Sequence, residues 1–132
     1  MNIMVFRISI RSYQPPRQVD LDLEIDWVCS CLGLVSGRDV SRTAEEIFRR
    51  ILEANRHEKS VTSEKLAEDL ELSRGAVNHH LRSFIESGLI VRRKRRIFLR
   101  SSTLSGTLEE MRRDADRIFE DLIRTAKNLD TQ

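Results

Sequence analysis

Apolar positions in this chain follow two different periods, and the change from one to the other divides it. Met4, Phe6, Ile8 and Ile10 recur on alternate positions within residues 3–11, the spacing of a strand with one apolar face. Pro15-Pro16 ends that run. Val19, Leu21, Leu23, Ile25 and Trp27 then alternate with Asp20, Asp22, Glu24 and Asp26, which predicts a second strand in a hairpin with the first. From Ile25 onward, Val28, Cys29 and Leu32 also fit a helix stopped by Gly33, so the segment reads as strand followed by short helix.

Beyond residue 43 the spacing becomes helical. Thr43 caps a helix over 44–56 with Ala44, Ile47, Phe48, Ile51 and Leu52 on one stripe. Thr62 or Ser63 caps a short helix whose Leu66, Ala67 and Leu70 share a side. Glu71-Leu72 leads directly to a third helix over 73–87, begun by the hydroxyl of Ser73 and stopped at Gly88, with Val77, Leu81, Phe84 and Ile85 toward a core. So short a connection forces two helices to cross steeply, the arrangement of a helix-turn-helix. Residues 89–100 alternate apolar and basic around Arg93-Lys94-Arg95 and predict a two-stranded hairpin. From 104 a long helix places Leu104, Leu108, Met111, Ala115, Ile118, Leu122 and Leu129 on a heptad-like seam. Phe119 and Ile123 widen that seam enough to touch both a partner and the chain's own domain.

The face of helix 73–87 left to solvent carries the chemistry. Arg74 has the fork that pairs with guanine, Asn78 has the donor and acceptor that pair with adenine, and His79 reaches a base edge or the backbone. Gly75 permits close approach, and Arg82 extends the face. Thr62, Ser63 and Ser73 stand at the helix starts as further contacts. Arg92, Arg93, Lys94, Arg95 and Arg96 fill the hairpin that follows, where cations meet phosphates or a minor groove. The formal charge of the 132 residues is only +2, but residues 61–100 hold nine basic side chains against five acidic ones. The excess therefore sits on the unit expected to meet DNA.

The run Leu72-Ser73-Arg74-Gly75-Ala76-Val77-Asn78-His79-His80-Leu81, followed by Glu86-Ser87-Gly88-Leu89-Ile90, is similar to the winged-helix repressors of the ArsR type. The resemblance spans 43 to about 100. It implies a leading helix, a helix-turn-helix pair and a wing, usually in a homodimer that represses transcription from a palindromic operator. Metal-sensing members often carry Cys-x-Cys on the helix before the recognition helix, where this chain has Leu66-Ala67-Glu68-Asp69-Leu70, so metal sensing does not carry over.

Other chemistry is sparse. The sequence has no Gly-x-x-x-x-Gly-Lys loop, no Gly-x-Ser-x-Gly elbow and no His-Glu-x-x-His, and it points to neither an enzyme nor a cofactor. His79 and His80 adjoin on a helix and should point apart, and with His57 they lack metal-site spacing. Cys29 and Cys31 read as packing residues rather than ligands, and they do not form a secreted disulfide framework. The acids at 20, 22, 24 and 26 read as the solvated side of a strand. Arg7 and Arg11 break up any signal-peptide pattern, and no apolar run has membrane-spanning length. The expectation is a soluble cytoplasmic protein without a membrane partner.

Together these readings give a mainly α fold with a small β component: an N-terminal β/α extension over 1–40, a winged helix-turn-helix domain over 43–100, and a C-terminal dimerisation helix over 104–129. The function expected is sequence-specific binding of double-stranded DNA by a homodimeric repressor. Helix 73–87 takes the major groove and the basic wing, 89–100, takes the backbone or minor groove. The dimer contact is assigned to Leu104, Leu108, Met111, Ala115, Ile118 and Leu122. A winged helix docking other proteins in a larger transcription assembly is the alternative. The effector, the operator and the role of the N-terminal segment are left open.

Overall fold

A computed structural model describes residues 3–35 and 42–132. The boundary expected at residue 40 lies outside the described residues. Among the described residues, five helices and one small sheet follow in the order α1 (Leu21–Cys31), α2 (Thr43–Arg56), β1 (Val61–Thr62), α3 (Ser63–Leu70), α4 (Arg74–Glu86), β2 (Ile90–Arg93), β3 (Arg96–Leu99) and α5 (Leu104–Asp130).

The N-terminal hairpin is not formed. Residues 3–20 carry no strand, and Val19 to Trp27, expected as a strand, largely belong to α1. Asp20 decides this locally, because its Oδ1 accepts from the Leu23 amide at 3.0 Å and so caps the helix. Asp22 and Glu24 in the first turn suit the positive end of the helix dipole. The alternating acids are also more than a solvated face. At helical spacing Asp22 and Asp26 share one side and meet arginines of α2 and its cap: Arg49 binds Asp22, and the cap residue Arg42 holds both oxygens of Asp26 at 2.6 and 3.0 Å. Residues 3–13 belong to no helix or strand and are tied down as a strap, with the Arg7 amide donating to the Glu86 carbonyl and the Arg11 amide to the Cys31 carbonyl, each at 2.7 Å.

One core joins all parts. Ile25 and Cys29 of α1 pack with Ala44, Ile47, Phe48 and Ile51 of α2, with Val77, Leu81 and Phe84 of α4, and with Ile90, Ile97 and Leu99 of the sheet. Phe48 and Phe84 meet edge to face at 6.3 Å between ring centres. Ile85, expected in this core, is 37% exposed. Arg42 rather than Thr43 occupies the cap position of α2, at φ 58° and without a side-chain cap.

The sheet is antiparallel in the order β1-β3-β2, with Val61 opposite Ile97, Thr62 opposite Arg96, Val91 opposite Phe98 and Arg93 opposite Arg96. The hairpin turns on Lys94 and Arg95, with Lys94 at φ 59°. The first half of α5 is anchored in the core through Thr107, Met111 and Asp114, whereas every residue from 116 to the end is exposed.

Candidate nucleic-acid interface

The ends of α4 are built as the sequence predicts. Ser73 Oγ accepts from the Ala76 amide at 3.1 Å. At the far end the Gly88 amide donates to the Ile85 carbonyl and the Leu89 amide to the Phe84 carbonyl, a Schellman closure that needs the left-handed φ of 84° at Gly88. Gly88 is fixed by space as well, because a Cβ there would lie 2.9 Å from Arg100 Nη1 and 3.2 Å from the Phe6 ring. With both ends fixed and Val77, Leu81 and Phe84 buried, the helix has one orientation available. Arg74, Gly75, His79 and Arg82 are exposed along it, with Asn78 half-buried between them.

The turn before α4 shows how the two helices are set. The Thr62 hydroxyl accepts from the Lys65 amide at 3.1 Å and starts α3. At its other end Glu71 takes the left-handed conformation, φ 54°, and the Leu72 amide donates to the Ala67 carbonyl at 2.9 Å. The reversal is thus complete within Glu71, Leu72 and Ser73.

The wing returns to the recognition helix. Arg92 Nη2 donates to Asn78 Oδ1 at 3.3 Å, so the most N-terminal arginine of the basic run lies beside α4. Thr62, Ser63 and Glu64 line a cleft of about 220 Å³ together with Arg92, Lys94 and Arg95. Thr62 and Ser63 at the start of α3, Asn78 of α4 and Arg92, Lys94 and Arg95 of the hairpin are thereby brought close to one another. Thr62 already spends its hydroxyl on the α3 cap, and Ser73 on that of α4.

Charge on this side is largely uncompensated. Arg95 approaches Glu64 at 3.9 Å, but among the described residues no ion pair engages Arg74, Arg82, Arg92, Arg93, Lys94 or Arg96. Such cations remain available to an anionic partner. The strand register also divides the basic run, which the sequence treated as one unit. Arg92 shares the inner face with buried Ile90, Ile97 and Leu99, while Arg93 and Arg96 lie on the outer face with Phe98. Phe98 was missed as a surface residue, although its period-two spacing from Arg96 carries that information. Arg96 is further held by Ser60, its Nη1 donating to Ser60 Oγ at 3.2 Å.

His79 and His80 do not diverge as expected; their rings meet edge to face at 5.4 Å. Among the described residues no group of three or more His, Cys, Asp or Glu is placed to hold a metal ion. Cys29 is fully buried and Cys31 half-buried, both as free thiols. Burial, followed by the negative charges of Glu45 and Asp26, pushes the Cys29 thiol up to about 12, against a smaller opposing effect of Arg42.

The seam assigned to dimerisation is split by the fold. Met111 is 3% exposed in the chain's own core, and Leu104 and Leu108 pack partly against that core. Ala115 is half-buried, whereas Ile118 and Leu122 are exposed together with Phe119 and Ile123.

The winged helix-turn-helix DNA-binding family model matches residues 46–91, from α2 through α4 into the first strand of the wing. No curated protein and no solved structure matches the chain. No described helix is long and apolar enough to cross a membrane. The fold is mainly helical with a winged helix-turn-helix and a long C-terminal helix, and the family match supports a DNA-binding transcription regulator.

Proposed function

We propose that this chain is a homodimeric, cytoplasmic transcription repressor of the ArsR type that binds a palindromic operator. In this reading α4 enters the major groove with Arg74, Asn78, His79 and Arg82 at base edges, and Gly75 allows close approach of the helix start. Thr62, Ser63, Ser73 and the cations from Arg92 to Arg96 hold flanking backbone or minor groove. Residues 43–100 are the DNA-binding unit, with the N-terminal strap and α1 built onto it and α5 joining two copies. Repression follows from occupying the operator.

The observation that carries this reading is the joined surface of α4 and wing, in which Asn78 and Arg92 are hydrogen-bonded and, among the described residues, Arg74, Arg82, Arg93 and Arg96 form no ion pair with a carboxylate. Selection of bound fragments from sheared genomic DNA by the purified chain tests it. The expected result is one enriched motif with two-fold symmetry and half-site centres about 10 base pairs apart, or a multiple of that. Recovery of fragments without a shared motif would remove the operator-binding reading.

A further inference from the structure

The outer face of the wing has a composition that phosphate binding alone does not explain. Val91, Arg93, Arg96 and Phe98 project from it, with Thr62 beside Arg96, because their cross-strand partners place them opposite the buried side chains Ile90, Ile97 and Leu99. Phe98 is half-buried, and the Arg93 guanidinium carbon stands 5.8 Å from its ring centre. Thr62, Phe98 and the four cations from Arg93 to Arg96 line a cleft of about 560 Å³.

A duplex backbone offers phosphates and sugars, which need cations and hydrogen bonds but make no use of an aromatic ring. An unpaired nucleotide uses both, since its base presents a π-face to an aromatic ring or a guanidinium plane while its phosphate seeks the cations. We propose that the outer face of the wing holds an unpaired nucleotide of single-stranded DNA, stacked on Phe98, with Arg93 and Arg96 on its phosphates. The Arg93 guanidinium covers the ring in the free protein and passes to the phosphate when a base takes its place. DNA is the strand favoured here because the same hairpin is tied to the duplex-facing helix through Arg92 and Asn78. An opened segment beside a duplex site would then meet the wing without the protein leaving its position. The inference extends the proposed duplex reading to a second face, and Arg74 and Phe98 allow the two to fail separately.

Fluorescence anisotropy with the full chain, using labelled oligo(dT), oligo(rU) and a blunt duplex of equal length, tests the proposal. Parent protein should bind oligo(dT) more tightly than oligo(rU). Phe98→Leu, which keeps an apolar side chain at the site, should weaken oligo(dT) binding about tenfold, within the range of lost base stacking, and change duplex binding less than twofold. Arg74→Ala should keep oligo(dT) binding while weakening the duplex. Phe98→Trp should show indole quenching on addition of oligo(dT), beyond the response of parent protein from Trp27. This readout stands even if Phe98→Leu folds poorly. Unchanged oligo(dT) affinity in Phe98→Leu, absence of the added quenching, or a preference for oligo(rU) would each overturn the proposal.

Discussion

Arg100, at the end of the wing, binds the carboxylate of Asp114 on α5, and the Asp114 side chain is 1% exposed. The same guanidinium lies over the Phe6 ring at 5.2 Å and approaches Glu110 at 3.5 Å, so one cation ties β3, the N-terminal strap and the long helix together. Asp114 gives this cation its bidentate partner and also receives Arg117 at 3.0 Å. Replacement of Asp114 by Ala leaves a largely enclosed guanidinium without its main partner and should lower unfolding free energy by about 2–4 kcal/mol. Glu110→Ala removes a longer contact made by a side chain that is 38% exposed and should cost less than about 1 kcal/mol. Urea titrations of the two variants check the contrast. Equal losses would mean that Arg100 does not depend on Asp114.

The pairing of Asn78 with Arg92 joins a base-reading side chain to a phosphate-seeking one, yet the two parts of the surface should still fail differently. Arg74→Ala should cost about 1–3 kcal/mol at the operator and relax preference at particular bases. Arg93→Ala with Arg95→Ala should weaken operator and scrambled duplex alike, and should flatten the log–log salt dependence by roughly one unit per lost phosphate contact. Binding titrations on both duplexes over a salt series measure each effect. Parent-like behaviour in both variants would place DNA recognition elsewhere.

The difference between what was legible in the sequence and what was not follows the range of the forces involved. α4 was legible because its cap, its apolar stripe and its closing glycine all lie within one segment and agree. The wing was legible because alternation and turn coincide. The first segment was not, since Leu21, Ile25 and Cys29 fit a helix as well as Leu21, Leu23 and Ile25 fit a strand, and the deciding contacts of Asp22 and Asp26 lie on another helix. Periodicity along α5 likewise could not separate Met111, which the wing and core cover, from Leu122, which they do not reach. Arg92 to Arg96 are all exposed, but their division between two faces of the hairpin required the strand register.

Glu71 shows a local cost that can be relieved. Its left-handed φ of 54° closes α3 before the turn, a position that suits glycine because a Cβ there is crowded. Glu71→Gly should raise stability by about 0.5–1 kcal/mol, the relief of backbone strain exceeding the added freedom of the unfolded chain. A rise in the thermal midpoint with unchanged operator affinity is the expected result. A lower midpoint would show that the Glu71 side chain contributes more than its backbone strain costs.

Cys29 should make stability fall at alkaline pH. Its thiol holds a proton in the folded chain up to about 12, whereas the unfolded chain releases it near the ordinary 9.0. Below pH 9 both states are protonated and stability is undiminished; from there toward 12 only the unfolded state loses the proton, so unfolding becomes easier. The slope attributable to this group is at most about 1.4 kcal/mol per pH unit. Denaturant titrations of parent and Cys29→Ala between pH 8 and about 10.5 should therefore show the parent's stability falling relative to the variant's as pH rises, whatever the packing cost of the substitution. Parallel curves would show that burial does not hold the proton on Cys29. A thiol reagent should modify half-buried Cys31 first.

The last expectation concerns α5, whose apolar residues serve two surfaces. Thr107 and Met111 belong to the chain's own core, and the Thr107 hydroxyl donates to the Thr103 carbonyl at 2.8 Å while accepting from the Ser101 amide at 3.0 Å. Removal of everything after residue 103 would strip these anchors and unfold the domain, so it cannot report on association. Beyond 115 the stripe of Ile118, Phe119, Leu122 and Ile123 is exposed, and these side chains recur at the three- and four-residue spacing of a helix packed on another helix. Ile118→Glu with Leu122→Glu, or a stop after residue 116, should give a folded monomer with core and wing intact, the double substitution also keeping the parent's helix content. Its affinity for a single half-site should match that of the parent subunit, while affinity for a full two-fold operator should fall by a factor of about a hundred or more as the linkage of the two half-sites is lost. Sedimentation and operator titration test both statements. An unchanged dimer in the double variant, or a parent chain that sediments as a monomer at micromolar concentration, would remove α5 as the dimer contact.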